Sequence, residues 1–229
     1  MRTETRGKPI VTSVGSTAAC GERDQTSLAE QDASPRVAVK QRLFPRFILF
    51  GILSIGGLVW DLWSKWAVFD WLKCPGEYTV WNGSLLGVPI DFQLATTFNL
   101  GALWGMGQGQ TWLFATFSII ALGVIGYFLY TGQAVESWWL TIASALLLAG
   151  TLGNLYDRLG LHGWKNQQGS IYGVRDFLDF VFFNGGFHWA TFNFADCYLV
   201  TGAMMLVLQS FTQPVPQPVK DSPSLSTCP

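Results

Sequence analysis

Carboxylate and amide side chains lie beside long apolar segments of this chain. Asp196 directly precedes an uncharged apolar run, Cys197 to Phe211, and a charge beside such a run is costly unless it has a partner or a function. Side chains of this kind recur at or near one expected end of the apolar segments, namely at Asn99, Asn154, Asp157, Asp176, Asp179, Asn193 and Asp196. Their convergence at one depth predicts a functional site.

The chemistry that such groups support is acid–base catalysis by a pair of carboxylates. Two carboxylates held close together cannot both ionise cheaply, so one of them keeps its proton near neutral pH. The pair can then act as base and acid around one water molecule, and an aspartyl hydrolase needs little else. Spacing alone does not choose between Asp176 and Asp179, because both could share one face of a short helix.

Structural roles compete with this interpretation at the ends of two apolar segments. Asn193 and Asp196 have the residue types and the position of a helix N-terminal cap. Asn154 and Asp157, with Arg158 beside them, are also consistent with snorkelling and local pairing at a helix end. At this point both explanations stay open for each pair.

A further polar pair lies within the first apolar segment. Asp61 and Lys65 are four positions apart, so they share one face of a helix and can form an ion pair. We therefore expect these two residues to support the fold and not to carry the chemistry.

The residues that other chemistries need are missing from the sequence. The two histidines, His162 and His188, are not part of an HExxH pattern, and no G-x-S-x-G nucleophile motif is present. The four cysteines have neither metal-type nor redox-type spacing, so we expect no metal and no cofactor. The formal net charge of −1 gives no sign of a nucleic-acid surface.

The composition is that of a membrane protein. Hydrophobic residues make up 49% of the chain and charged residues only 13%, well below the share of about 25% that is typical of soluble domains. About 20 mostly apolar residues span a bilayer, and four segments have roughly that length, near residues 47–66, 111–130, 138–155 and 193–211. The predicted fold class is an all-α membrane protein with four transmembrane helices.

Basic residues set the predicted orientation. Arg36, Lys40, Arg42 and Arg46 precede the first span, so the positive-inside rule puts the N-terminus in the cytoplasm, and four spans return the C-terminus to that side. Both long connections then face outward. Residues 1–42 predict a disordered cytoplasmic tail and residues 213–229 a flexible Pro-rich tail, which leaves residues 43–212 as the membrane domain.

The two outward connections predict small structures at the membrane surface. Residues 77–100 alternate β-favouring side chains around Asn82-Gly83, which predicts a hairpin turn there and a small extracytoplasmic β-sheet. The second connection predicts a short amphipathic interfacial helix, with an apolar face made of Phe177, Phe180, Val181 and Phe183.

A small transporter or channel subunit with a proton-relay carboxylate is the alternative function. A transport path needs polar residues through the full thickness of the membrane, whereas a hydrolase needs a pocket on one side. The polar residues gather at one end of the predicted spans, and the sequence has no internal repeat. The hydrolase interpretation is therefore favoured.

Five short blocks of sequence carry a family resemblance. They are "DLWSK" in the first span, "FNLGALWG" (Phe98–Gly105), "GNLYDRL" (Gly153–Leu159), "VRDFLDF" (Val174–Phe180) and "FNFAD" (Phe192–Asp196). In this order they resemble the blocks of the lipoprotein signal peptidases, also called signal peptidase II. Any one block alone would be weak, but five in the right order are very specific.

The resemblance implies a four-span aspartyl protease of the bacterial inner membrane. Such an enzyme removes the signal peptide of a diacylglyceryl-modified prolipoprotein by cutting before the lipidated cysteine, near the outer membrane face. The matched blocks imply that Asp176 and Asp196 are the catalytic pair and that the predicted sheet is a cradle over the site. They imply substrate-binding or pair-supporting roles for Asn99, Asn154, Arg158, Asn193 and Asp157, and structural roles for Asp61 and Lys65. No metal is implied.

Two segments depart from the family pattern. The stretch between Arg158 and Asp176 is longer than is usual in the family, and the N-terminal tail is an addition. An inserted surface loop is generally tolerated, because loop-closure entropy grows slowly with length. The longer stretch still bears on access to the site.

Overall fold

Four long helices dominate the computed structural model, which describes residues 35–101 and 107–212. They are α1 (Pro35–Leu72), α2 (Thr111–Tyr130), α3 (Trp138–Arg158) and α4 (Phe194–Thr212). Apart from the helical backbone of residues 35–42, the two predicted tails lie outside the described residues. Residues 102–106, part of the block that begins at Phe98, lie outside them as well.

All four helices are long and apolar enough to cross a membrane, which confirms the predicted spans. The apolar part of α1, Leu43–Leu72, is longer than predicted at both ends, and α3 continues to Arg158. Large apolar side chains remain uncovered on the other helices too, as at Phe117 of α2 and Met204 of α4, which are 56% and 58% exposed. Such faces suit hydrocarbon, so the chain is a multi-pass membrane protein.

Helix α3 is the most buried of the four. In its most apolar stretch 50% of the residues are buried, against 11%, 6% and 11% in α1, α2 and α4. Its inward positions carry small residues, which let helices in a membrane approach closely. At Gly153 a Cβ atom would overlap the carboxylate of Asp61 on α1, and at Gly150 it would lie 2.5 Å from the backbone oxygen of Ala195 on α4. The small residues of α3 thus bring α1 and α4 together around one end of α3.

The two long connections contain six strands among the described residues. These are β1 (Gly76–Leu85), β2 (Val88–Asn99), β3 (Lys165–Asn166), β4 (Gly169–Ser170), β5 (Val174–Phe182) and β6 (Phe187–His188). Four of them form an antiparallel sheet in the order β1-β2-β5-β6, which confirms the predicted small sheet. The helices α1 and α3 end, and α2 and α4 begin, at these connections. We call this end of the helices the sheet end.

The hairpin turn lies later in the chain than predicted. The pairing of β1 with β2 continues past Asn82. This residue pairs with Asp91, and its Nδ2 donates a hydrogen bond of 2.6 Å to Oδ1 of Asp91. The turn is formed by Leu86 and Gly87, which both have positive φ angles, 52° and 83°. Asn-Gly is a local turn signal, but the cross-strand pairing on both sides of Asn82 outweighs it.

The predicted interfacial helix is wrong, because this segment is strand β5. Residues 174–182 pair with β2 on one side and with β6 on the other, and residues 174–179 are all buried. Because this strand is covered on both faces, its large apolar residues do not follow a simple alternation. Its aromatic residues therefore recur at spacings that also fit one face of a helix, so the pattern misled the prediction.

An aromatic core joins the sheet end of α1 to the sheet. The ring of Phe69 on α1 is fully buried and lies 5.2 Å from Phe98 of β2 and 5.8 Å from Trp164, measured between ring centroids. Phe177 of β5 belongs to the same core. Since Phe98 precedes Asn99 and Phe177 follows Asp176, this packing fixes the two strands that carry the polar residues described next.

Candidate active site

The N-terminus of α4 is closed by a reciprocal pair of hydrogen bonds. The backbone N–H of Asp196 donates to Oδ1 of Asn193 at 3.1 Å, and the backbone N–H of Asn193 donates to Oδ2 of Asp196 at 3.2 Å. This is the arrangement of a capping box. The N–H of Ala195 donates to Oδ1 of Asp61 at 2.8 Å, so α1 also helps to cap α4.

Capping accounts for only one oxygen of Asp196. Its Oδ1 accepts a hydrogen bond of 2.7 Å from Nδ2 of Asn154, on the last turns of α3. The residue is also only half-buried. The capping explanation that the sequence left open is therefore correct but incomplete, because the carboxylate also faces the polar end of α3 and solvent.

Asp176 is the most enclosed member of the predicted pair. Its side chain is 1% exposed and accepts a hydrogen bond from Nδ2 of Asn193 at 2.6 Å and another from Nδ2 of Asn99 at 3.0 Å. Burial, followed by the negative charge of Asp196, raises the pKa of Asp176 to about 8. This carboxyl group thus keeps its proton near neutral pH.

Asn193 connects the two carboxylates directly. Its side-chain amide donates to Asp176, while its backbone N–H donates to Asp196. A cavity of about 150 Å³ opens beside Asp176 and is lined by Thr97, Phe98, Asn99, Gln108, Asp176, Ala190 and Thr191. A water molecule occupies about 30 Å³ in the liquid, so the cavity is larger than one water molecule requires.

A buried ionic cluster joins α1, α3 and β5 next to the carboxylate pair. It consists of Asp61, Lys65, Asp157 and Arg175, whose side chains are at most 4% exposed. Lys65 Nζ lies 2.8 Å from Asp61 Oδ2, the ion pair expected from their spacing, and 3.2 Å from Asp157 Oδ2. Arg175 Nη2 lies 2.8 Å from Asp157 Oδ1. The partners of Asp157 come from α1 and β5, which removes snorkelling and local pairing as its explanation.

Lys65 also determines the orientation of an amide in the site. Its Nζ donates to Oδ1 of Asn154 at 3.2 Å, and Nδ2 of Asn193 donates to the same oxygen at 3.3 Å. Because an ammonium group has no acceptor, it requires the oxygen of Asn154 on its side. The amide nitrogen of Asn154 is thereby directed toward Asp196.

Arg158 is the predicted basic residue of the site. Its guanidinium carbon lies 5.5 Å from the centroid of the Phe114 ring on α2, within the range of a cation–π contact. The side chain is half-buried and is close enough to Asp196 and Asp176 for electrostatic attraction. It thus brings a positive charge toward a site that contains two carboxyl groups.

Asp179 is separated from the other predicted residues. It is 3% exposed, and its Oδ2 accepts a hydrogen bond of 2.6 Å from Nε2 of Gln93 and lies 3.8 Å from Nδ1 of His188. Asp176, in contrast, is held by Asn193 and Asn99. The two aspartates of β5 therefore have different partners.

Four polar contributors to the site were missed in the sequence. Thr97, Gln108 and Thr191 line the cavity, and Arg175 belongs to the buried ionic cluster. Arg175 had a detectable signal, since a basic residue among large apolar residues needs a buried partner. Thr97, Gln108 and Thr191 had none, because single polar residues in loops and near strand ends are ordinary.

Comparisons with known proteins identify the family. The family model described as Signal peptidase (SPase) II matches residues 53–212. A lipoprotein signal peptidase of Rhodopirellula baltica is 42% identical over 171 residues, which are 72% of this chain and 73% of the relative. A lipoprotein signal peptidase of Bacillus pumilus is 30% identical over 163 residues, 71% of this chain and 92% of the relative.

A solved structure shares the fold. A bacterial membrane enzyme determined at 1.9 Å resolution is 24% identical, covers 72% of this chain and 94% of its own length, and superimposes with a TM-score of 0.54. The family model spans the segments that supply Asp61, Asn154, Asp176 and Asp196. The chain therefore belongs to the signal peptidase II family of aspartic peptidases.

Proposed function

We propose that Asp176 and Asp196 are the catalytic pair of this lipoprotein signal peptidase. In this proposal the enzyme removes the signal peptide from diacylglyceryl-modified prolipoproteins by cutting before the lipidated cysteine. The observation that carries the assignment is the bridge through Asn193, whose amide nitrogen contacts Asp176 while its backbone N–H contacts Asp196. The cavity beside Asp176 has room for water.

The raised pKa of Asp176 suggests how the two carboxyl groups divide the work. Because burial keeps Asp176 protonated near neutral pH, the proposal gives Asp176 the role of general acid and Asp196 the role of general base. The water oxygen bonds to the scissile carbonyl carbon while Asp176 transfers its proton to the carbonyl oxygen. In the second step the C–N bond of the tetrahedral intermediate breaks. Asp196 gives its proton to the leaving nitrogen, and Asp176 takes a proton back from one hydroxyl group of the intermediate.

The surrounding residues have supporting roles in this proposal. Asn99 and Asn193 hold Asp176, and Asn154 holds Asp196 through hydrogen bonds of 2.6 to 3.0 Å. Arg158 offsets negative charge that develops on the substrate. Asp157, together with Asp61 and Lys65, stabilises the packing of α1, α3 and α4 next to the site through buried ion pairs.

We also propose that both termini are cytoplasmic and that the site lies near the outer face of the inner membrane. The basic residues before the first span support this orientation by the positive-inside rule. Arg46, at the opposite end of α1 from the sheet, donates to the backbone oxygen of Val135 at 3.2 Å, and its guanidinium carbon lies 5.5 Å from the ring centroid of Trp138. An interfacial aromatic and a basic side chain at this end are consistent with a membrane surface there.

Apolar side chains next to the site are suited to a lipid-modified substrate. Trp60 on α1 is 48% exposed and its ring meets that of Phe194, the first residue of α4, at 5.9 Å between centroids. The diacylglycerol chains can stay in the bilayer against such a face while the peptide bond enters the polar cavity. The carboxylates then meet the scissile bond where water is available.

The alternative of a transporter or channel has no support among the described residues. Apart from Arg46, the charged residues of the four spans lie toward the sheet end of α1, α3 and α4. A proton or solute path would need polar groups along the whole span. This one-ended distribution is what a membrane-surface hydrolase requires.

Cleavage of a synthetic precursor tests the proposal. The purified enzyme should release the signal peptide from a diacylglyceryl prolipoprotein but leave the same peptide without lipid uncut. The Asp176→Asn variant, purified identically, should leave both peptides uncut. Equal cleavage of the two peptides would refute the lipid requirement, and an active Asp176→Asn variant would refute the assigned pair.

A further inference from the structure

Arg175 binds the end of α3 with both its side chain and its backbone. Its Nε and Nη2 donate to Oδ1 of Asp157 at 3.0 and 2.8 Å, and its backbone N–H donates to Oδ2 of the same carboxylate at 3.0 Å. The residue is only 3% exposed. One carboxylate on the last turn of α3 therefore fixes strand β5 at the residue immediately before Asp176.

The side chain of the next residue points to the other face of the strand. There Asp176 meets Asn193 of α4 and Asn99 of β2. We infer that Arg175 is a positioning residue for Asp176: by clamping β5 to α3, it holds this carboxyl group against Asn193 in the geometry that cleavage requires. The inference rests on the proposed catalytic role of Asp176.

Arg175 also completes the charge balance of the buried ionic cluster. Asp61 and Asp157 are two carboxylates, and Lys65 and Arg175 are two cations, so the cluster is neutral as a whole. Removal of one partner from a buried ion pair leaves an uncompensated charge and destabilises the fold. The test must therefore separate lost positioning from lost stability.

Substrate contact is not the role that the geometry supports. The described residues that line the cavity beside Asp176 do not include Arg175. Its donors are directed to Asp157, on the side of the strand away from Asn193. Changes at Arg175 should therefore alter kcat and leave KM for the lipid-modified substrate unchanged.

The first measurement uses the full-length enzyme with a diacylglyceryl precursor peptide. Arg175→Gln should lower kcat on the order of 10- to 100-fold at unchanged KM, because a small displacement of a catalytic group has effects of this size. Arg175→Lys keeps the charge but loses the planar two-point contact, so its kcat should fall between that of Arg175→Gln and that of the native enzyme. Lys73→Gln is the matched control, since it removes an equal charge from an exposed pair with Asp70 that is 68% and 63% exposed. It should leave kcat unchanged.

The second measurement combines Arg175→Gln with Asp157→Asn. The double variant has a neutral cluster again, with Asp61 facing Lys65, so its unfolding temperature should rise above that of either single variant. Its kcat should nevertheless stay low, because the clamp on β5 is still missing. Recovery of kcat together with stability would show that Arg175 is only structural and would overturn the inference.

Two further outcomes would also overturn it. One is a native kcat in folded Arg175→Gln or Arg175→Lys, and the other is an increase in KM alone. These failures are distinct from a failure of the proposed function, in which Asp176→Asn itself retains cleavage. If Arg175→Gln does not fold, Arg175→Lys and the double variant still decide between positioning and stability.

Discussion

Strand β5 carries two buried aspartates, and their different surroundings indicate which of them belongs to the proposed catalytic pair. Asp176 and Asp179 are 1% and 3% exposed, so burial does not distinguish them. Their partners do: Asp176 contacts two asparagines and is close to the charge of a second carboxylate, whereas Asp179 contacts Gln93 and His188. A second carboxylate nearby, and not burial alone, distinguishes the proposed catalytic aspartate.

The largest expected effect is the loss of cleavage in Asp176→Asn and in Asp196→Asn. An amide keeps the size of the side chain, but it replaces one acceptor oxygen by a donor and cannot exchange a proton as a carboxyl group does, so each variant should lose at least on the order of 10³-fold in kcat. Cleavage of a lipid-modified precursor gives the rate, and thermal unfolding in the same detergent serves as the folding control. Substantial activity in either variant would remove that residue from the pair.

Matched amide substitutions sharpen the comparison between the two aspartates. Asn99→Ala removes a hydrogen bond of 3.0 Å from Asp176, and Gln93→Ala removes one of 2.6 Å from Asp179. A hydrogen bond to a neutral group contributes about 0.5 to 1.5 kcal/mol, so Asn99→Ala should lower kcat by about 2- to 10-fold. Gln93→Ala should change kcat little, although its hydrogen bond is the shorter. A larger loss in the Gln93 variant would reverse the assignment of the catalytic aspartate.

The pH dependence of cleavage tests the proton on Asp176. Its pKa is raised to about 8 by burial and by Asp196, so the protonated form is lost and cleavage should decline as the pH rises through about 8. An Asp179→Asn variant should show the same alkaline decline, because Asp179 is not the titrating group. A shift of that decline in the Asp179 variant would contradict the assignment.

The same pKa shift gives a stability effect with a defined sign. Asp176 binds its proton more tightly in the folded protein than in the unfolded chain, so its contribution to stability is complete below pH 3.8 and is lost as the pH rises to about 8. Asp176→Asn should therefore raise the unfolding temperature relative to the native protein at pH 8. The difference should shrink as the pH approaches 4.

The smallest expected effect is that of Asp179→Asn on turnover. The variant keeps an oxygen that can accept the hydrogen bond from Gln93, and Asn193 binds Asp176 and Asp196, not Asp179. We expect most of the native kcat to remain, with a modest change in unfolding temperature. If Asp179→Asn were inactive and Asp176→Asn were active, the wrong aspartate of strand β5 would have been assigned.

Local patterns were enough to predict much of this molecule. The four spans follow from length and hydropathy, and the ion pair of Asp61 with Lys65 follows from helical spacing. The cap at Asn193 and Asp196 is also visible in residue types alone. Each of these features depends on residues that are close together in the chain, where sequence is most informative.

Features that depend on distant partners were not predicted in the same way. Strand β5 resembled an amphipathic helix because its pairing with β2 joins residues far apart in sequence, as in the pair Asp176 and Thr97. The same applies to Arg175, whose partner Asp157 lies on another element. Asn82-Gly83 signalled a turn locally, yet pairing with the following strand moved the turn onward.

The hydrogen bond from Ala195 to Asp61 joins the first span to the last. During synthesis, α1 is made long before α4. The carboxylate of Asp61 therefore lacks the backbone N–H of Ala195 as a partner until the final span is inserted. Asn193 and Asp196 arrive with that same span. A nascent chain that lacks α4 therefore has only one aspartate of the pair. On the proposed assignment of the catalytic pair, peptidase activity begins only after the last span is inserted.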